Sequence, residues 1–234
     1  MELEDSPKED VGDPVKLAGP AGIRVEGLDY RYPDGQRMIL KDLTFDFPPL
    51  SRTAIVGETG SGKSTLIRLM LALLKPVAGR VTLYDVAQAV PASAATRCNL
   101  VYVPQGNTLF SGSVRDNLLM GDPDATEEQM RAALETAVAD FVFSLPDGLE
   151  TRCGERGAGL SEGQAQRIAI ARGLLRPGSI LLLDEFSSSL DPETEEKLMD
   201  NLTKKAAGKT MIFITHREKI AQCCERTCRI DRLA

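Results

Sequence analysis

The sequence predicts an α/β fold built on a mostly parallel sheet, with an antiparallel β segment at its start and a helical segment inserted in its middle. Three observations predict it. Residues Gly57-Glu58-Thr59-Gly60-Ser61-Gly62-Lys63-Ser64-Thr65 form a complete G-x-x-x-x-G-K-[ST] loop, placed between the apolar run Thr53-Ala54-Ile55-Val56 and a helical stretch over 66–74. Strand, glycine-rich turn and helix in that order are what the motif requires. Ile180-Leu181-Leu182-Leu183-Asp184 is a continuous apolar run ending in acid, as a parallel strand buried on both faces reads. The stretch from about residue 110 to 175 is helical by pattern and lies between strands.

The first twenty residues carry Glu2, Glu4, Asp5, Glu9, Asp10 and Asp13 with three prolines and little that could pack. They read as a flexible acidic tail or linker, so the folded domain is expected over 21–234. Residues 23–32 alternate as a strand, Pro33-Asp34-Gly35 signals a turn, and 43–47 is the expected partner strand. Residues 80–84 and 100–103 read as further strands, and 124–137 as a helix with an acidic first turn. Asp191-Pro192-Glu193 opens another helix, Asp191 as its cap and Pro192 in its first turn. Residues 211–215 are a last apolar strand.

Composition narrows the classes. A chain of 234 residues, 42% hydrophobic, suits one large α/β domain or a domain with a helical insert. A net charge of −6 argues against nucleic acid as the main partner, which calls for a basic face. No segment approaches the roughly 18 uncharged apolar residues that span a bilayer, and the acidic N-terminus does not read as a secretory signal. Five scattered cysteines point to a reducing compartment. Cys223, Cys224 and Cys228 match no common zinc spacing and read as packing residues.

The chemistry is set by residue types. Glycines in the 57–65 loop let backbone N–H groups wrap around a β-phosphate, and the helix behind it points its positive end at that anion. Lys63 can reach β/γ oxygens and the Ser64 hydroxyl can ligate Mg²⁺. The plainer reading, a glycine-rich turn before a core helix, leaves the four fixed positions and their flanks unexplained. The 180–184 strand delivers Asp184 to the same site, where a carboxylate can hold Mg²⁺ through water. Glu185 comes next, where an attacking water would stand, and could orient and deprotonate it. Ser161 and Gln164 form an S-x-x-Q capping box, so a helix starts there with Gly163 in its first turn. Taken alone, that is a well-capped helix.

Leu160-Ser161-Glu162-Gly163-Gln164, followed by Ala165-Gln166-Arg167 and Ala169-Ile170-Ala171-Arg172, resembles the signature of ABC-transporter nucleotide-binding domains. The order of motifs fits as well, and the resemblance runs from about residue 23 to 234. It implies a P-loop NTPase core with a mixed or parallel sheet, an N-terminal antiparallel β subdomain and a helical signature subdomain. It also implies ATP and Mg²⁺ as ligands and ATP hydrolysis as the activity. Tyr32 resembles the aromatic residue that stacks on adenine, Gln105 the loop glutamine that contacts Mg²⁺, and His216 the switch histidine at the γ-phosphate. Ser188-Ser189-Leu190-Asp191 resembles the loop that crosses the seam of a dimer. Ser161, Gly163 and Gln164 would then face a nucleotide held by the phosphate loop of a second, identical or homologous domain.

Residues 107–112, 145–148 and 154–157 resemble the exporter branch, whose loops receive a membrane-spanning domain. That branch implies a place at the cytoplasmic face of a membrane, with the acidic tail as the end of a linker. Two departures stand out: Glu162 where glycine is usual, and Pro48-Pro49-Leu50-Ser51-Arg52 in place of a glycine-containing turn. The rival reading is a soluble ABC-type ATPase without a membrane part. Coiled-coil arms or tandem cassettes would mark it, and the sequence shows neither.

Overall fold

A computed structural model describes residues 12–33, 35, 37–154, 159–206 and 208–233. In chain order they form β1 (Gly22–Tyr30), β2 (Leu40–Phe47), β3 (Arg52–Val56), α1 (Lys63–Met70), β4 (Ala78–Tyr84), β5 (Ala89–Pro91) and β6 (Leu100–Val103). Then come β7 (Gly112–Ser113), α2 (Val114–Leu119), α3 (Glu127–Thr136), β8 (Arg152–Cys153) and α4 (Glu162–Leu175). The chain closes with β9 (Ile180–Asp184), α5 (Pro192–Lys205), β10 (Thr210–Ile214), α6 (Glu218–Gln222) and β11 (Arg226–Arg229).

The strands sort into an antiparallel sheet ordered β2-β1-β4-β5, a sheet ordered β11-β3-β10-β9-β6, and a small β7-β8 pair. Every pairing in the second sheet is parallel. Its central strand pairings run Ile214 to Ile55 and Ile214 to Asp184, so the carboxyl ends of β3, β10 and β9 finish level. The inserted helical part, α2 to α4, lies between β6 and β9 as the sequence predicts.

Two apolar cores cover the two faces of the parallel sheet. Side chains alternate along a strand, and β9 divides accordingly. Ile180 and Leu182 join Ile55, Leu66, Ile67, Ile212 and the apolar face of β1. Leu181 and Leu183 join Phe213, Ile168, Ile170 and residues of α2, α3 and α5. A strand buried on both faces must be apolar at every position, which is why its sequence shows no alternation. Each such Leu or Ile contributes about 1.5–3 kcal/mol on burial, so β9 is anchored firmly enough to hold a charged group at its end.

Helix caps obey the predicted chemistry. Asp191 accepts from the Thr194 N–H at 2.9 Å. Ser161 Oγ accepts from the Gln164 N–H at 3.2 Å while Gln164 Oε1 accepts from the Ser161 N–H at 2.9 Å. Thr126 and Gln129 make the same reciprocal cap on α3, which starts at Glu127 rather than at residue 124. The helix expected over 66–74 begins earlier, at Lys63, and ends earlier, at Met70, two residues before Ala72 takes a left-handed φ of 50° that an α-helix does not use.

The unusual turn over 48–52 has a defined shape. Leu50 takes the left-handed backbone (φ 62°) that a glycine would take, and its N–H donates to Thr210 Oγ1 at 2.8 Å. Near the N-terminus, Leu17 is buried and its N–H donates to Asn99 Oδ1, while Asn99 Nδ2 donates to the Val15 carbonyl, both at 2.8 Å. The segment just before residue 20 is thus docked on the domain. Glu2, Glu4, Asp5, Glu9 and Asp10, together with Asp34 and the 155–157 loop, lie outside the described residues. All five cysteines are free, with Cys153 and Cys228 buried in the two cores.

Candidate nucleotide site

Parallel strands present all their carboxyl ends at one edge, and ligands of such sheets bind there. Here β3 leads into the 57–65 loop, β6 into Gln105, β9 into Asp184 and Glu185, and β10 into His216. The four ends surround one cleft of about 510 Å³ lined by Thr59, Gly60, Gly62, Lys63, Ser64, Thr65, Gln105, Asp184, Glu185 and His216, with Tyr32 and Ile39 at the side. Sequence positions more than 150 residues apart thus meet because the sheet brings them together.

The loop is shaped for close approach. A Cβ on Gly57 would lie 2.2 Å from the Ile230 carbonyl oxygen and 2.7 Å from Ser61 Oγ, so only glycine fits. Ser61 Oγ is itself buried and has no hydrogen-bond partner. Lys63 Nζ donates to the carbonyls of Gly57 (2.7 Å) and Glu58 (2.9 Å), folding the ammonium back across the loop. An ammonium has three donors, so one remains for an anion in the cleft. Tyr32 lies just past the end of β1. Its hydroxyl is 3.2 Å from Thr65 Oγ1, and its ring meets Tyr30 edge-on at 5.1 Å.

Asp184 is buried, and Tyr102 Oη donates to its Oδ2 at 3.0 Å. Burial pushes the Asp184 carboxyl up from its ordinary value, while the Tyr102 bond pulls it down. Burial and the neighbouring carboxylate push the Tyr102 hydroxyl up as well, which keeps it a donor. A cation beside Asp184 would favour its ionised form. Glu185 adopts a φ of 44°, a strained conformation for a residue with a side chain. Such strain costs about 1–3 kcal/mol and persists where surrounding structure dictates it, often at active sites. Here the Glu185 N–H donates to the Ile214 carbonyl at 3.0 Å, and His216 Nδ1 lies 2.8 Å from Glu185 Oε2. The Glu185 side chain is part of the cleft lining.

Ser161, Gly163 and Gln164 are not among the residues lining this cleft. Ser161 and Glu162 are exposed, which makes the unusual glutamate sterically harmless. The Ser161 hydroxyl accepts within the cap but keeps its own O–H to donate, and Gln164 keeps its NH₂. Three residues that matter to the geometry carried no motif: Tyr102 on Asp184, and the Arg217–Glu195 pair behind His216.

The fold is that of a P-loop NTPase. The chain belongs to the ABC transporter family, whose pattern matches residues 40–188. It is 41% identical over 211 residues to the ABC multidrug transporter MDR1 of Cryptococcus neoformans var. grubii, which covers 87% of this chain and 15% of that protein. It is 38% identical over 225 residues to the ATP-dependent lipid A-core flippase of Chromohalobacter salexigens, covering 96% of this chain and 39% of that one. It is 37% identical over 228 residues to the mycobactin import ATP-binding/permease protein IrtB of Mycolicibacterium smegmatis, covering 97% and 40%. Among solved structures, a bacterial Atm1-family ABC exporter with ATP bound superposes with a TM-score of 0.85 at 34% identity, covering 98% of this chain and 40% of that chain. The chain thus spans well under half the length of these relatives, and it is homologous to the ATP-binding part of exporter-type transporters. ATP-binding domains of this family are ATPases. Among the described residues, no helix is long and apolar enough to cross a membrane.

Proposed function

We propose that this chain hydrolyses ATP to power transport through a membrane-spanning part, working at the cytoplasmic face as one of two paired domains. One observation carries the reading: Thr59, Gly60, Gly62, Lys63, Ser64 and Thr65 of the phosphate loop line one cleft with Gln105, Asp184, Glu185 and His216, Gly57, Glu58 and Ser61 lie outside that lining, and no residue of the LSEGQ segment belongs to it. A signature kept away from its own chain's cleft is suited to a nucleotide held by an identical or homologous partner. Two such domains would enclose two ATP molecules, close on binding and reopen after hydrolysis.

In this reading the amides of 58–65 and Lys63 hold the β/γ-phosphates. Ser64, Gln105 and Asp184 supply the hard oxygen donors that suit Mg²⁺. Among the described residues no cluster of three or more His, Cys, Asp or Glu could hold a metal alone. The phosphates would therefore complete the coordination, as is usual for this ion. Held by these residues, Mg²⁺ would supply charge neutralisation at the phosphates. Glu185 orients a water and takes its proton, and His216 reaches the γ-phosphate.

The loop over 107–112 is the proposed seat of the membrane part. Phe110 and Met120 are exposed large apolar side chains beside a groove of about 280 Å³. Arg172 stiffens that loop by donating to the Thr108 carbonyl at 3.1 Å and to its Oγ1 at 2.9 Å. Relatives named for import and for lipid A-core flipping share this domain, so substrate and direction would belong to the membrane-spanning part.

The test is assembly. The Glu185→Gln chain should be monomeric alone and with ADP, and should dimerise with ATP and Mg²⁺ in analytical ultracentrifugation. A trapped variant that stays monomeric with ATP would sink the homodimer form of the pairing. A second expectation concerns Tyr32. Tyr32→Ala should weaken ATP binding by about 1–3 kcal/mol if the ring carries a full base stack, with turnover preserved at saturating ATP. Tyr32→Phe keeps the ring and loses the hydroxyl's contacts to Thr65 Oγ1 and from Arg68 Nη1, so its KM should stay near the wild-type value. Equal KM values for Ala and Phe would remove the stacking role.

A further inference from the structure

Arg217 directly follows His216 and is tied down on three sides. Its guanidinium pairs with the Glu195 carboxylate, which is only 5% exposed. Its Nη2 donates to the Ser188 carbonyl at 3.4 Å, and its own N–H donates to Thr215 Oγ1 at 2.9 Å. Glu195 sits in the first turns of α5, directly after the loop that contains Ser188. The segment after β10 is therefore fastened to the segment after β9 at two separate points. One is His216 on Glu185 inside the cleft, and the other is Arg217 on Ser188 and Glu195 outside it.

The second segment continues into a tight contact with the signature helix. A Cβ on Gly163 would lie 2.8 Å from the Ser189 carbonyl oxygen and 3.2 Å from Leu190 Cδ2, so the first turn of α4 rests directly on Ser189 and Leu190. From His216 to Gly163 the sequence of contacts is unbroken: His216, Arg217, Ser188, Ser189, Gly163. The links are hydrogen bonds, an ion pair, covalent neighbours and the contact at Gly163, a network of the kind that can carry a displacement from one end to the other.

We infer that Arg217 is a positioning residue: by holding Ser188 and Glu195 it locks the His216 segment to the loop that carries the signature helix. A displacement of His216 at one nucleotide then reaches Ser161 and Gly163 of the same chain. That these face a second nucleotide rests on the paired reading proposed above. The guanidinium suits the task because its planar fork can hold a carboxylate and a carbonyl at once, whereas lysine offers a point charge on a flexible stem.

The experiment uses the full chain with Arg217→Lys and with the pair Glu195→Gln/Arg217→Ala. The lysine variant leaves Glu195 opposite a cation, and the double variant removes the buried charge that Arg217→Ala alone would strand. Both should bind ATP with wild-type affinity, and kcat at saturating ATP should fall roughly ten- to a hundredfold, the scale of a misplaced reacting group. His216 is the only histidine, so its side-chain ¹H–¹⁵N signals report its position without overlap, and they should move in both variants. Unchanged kcat, or unchanged His216 signals, in either folded variant overturns the inference. A loss of kcat that merely tracks a loss of thermal stability overturns it too. ATP-dependent dimerisation of the Glu185→Gln chain is scored separately. Its failure would remove the pairing while kcat and the His216 signals still decide the role of Arg217.

Discussion

Glu185→Gln is expected to lower kcat by about 10²–10⁴-fold, the usual contribution of a positioned general base, while ATP binding persists. The reason is geometric. Glu185 stands one residue past the Asp184 carboxylate, in a left-handed backbone conformation fixed by a bond to Ile214, with its side chain in the cleft and 2.8 Å from His216. Glutamine keeps the volume and can still meet His216, so packing and nucleotide contacts survive. Only the ability to accept a proton is lost. In free energy the effect amounts to about 3–5 kcal/mol of transition-state stabilisation. Phosphate release and ATP affinity measured side by side decide it. Release near the wild-type rate would take Glu185 out of the base role and leave it as a holder of His216.

Much of this site was legible because its motifs sit at the ends of strands. A strand announces itself by an apolar run, as 53–56, 180–184 and 211–215 do, and the residues just beyond such a run must lie at the sheet's edge. Asp184 and Glu185 could therefore be placed at the rim from the run that precedes them, whereas Gln105 and His216 are assigned to it by the resemblance to the ABC family. The strand order itself, β11-β3-β10-β9-β6, is a long-range property that no local pattern encodes. β11 carries no such signal because it reads Arg-Thr-Cys-Arg: as an edge strand it buries only Cys228, so the apolar run is absent. Tyr102 is hidden for the opposite reason. It sits in an apolar strand where a tyrosine looks like packing, and only the register of β6 against β9 brings its hydroxyl to Asp184. The Arg217–Glu195 pair spans 22 residues and two loops, and charged residues at that spacing have no signature in sequence.

The capping box shows how one local pattern serves two readings. Ser161 and Gln164 close the start of α4 as any S-x-x-Q would. The neighbour is what departs from an ordinary cap: Gly163 is pressed on Ser189 with no room for a side chain. Propensity alone would disfavour glycine in the first turn of a helix by roughly 1 kcal/mol relative to alanine, so its presence there answers to the contact rather than to the helix.

The largest qualitative effect should come from mixing two inactive chains. Lys63→Ala removes the ammonium of the phosphate loop, and Ser161→Arg places a bulky cation at the exposed helix start. Each chain alone should show little ATPase activity, because every site in a pair of identical mutants carries the defect. In a mixture, half the pairs at equal amounts would be heterodimers. Such a heterodimer has one site with both defects and one intact site, which combines the phosphate loop of the Ser161→Arg chain with the signature of the Lys63→Ala chain. Activity should return on mixing and peak near equal ratios. Were Ser161 to serve its own chain's nucleotide, no site in any mixture would be intact and no ratio would restore activity. Forced coupling between the two sites could silence an intact one, so ATP binding is read as well in a covalently tethered heterodimer. One site should bind ATP tightly in the presence of Mg²⁺ and the other should not. Two equally defective sites would place the signature with its own chain's phosphate loop and end the paired reading.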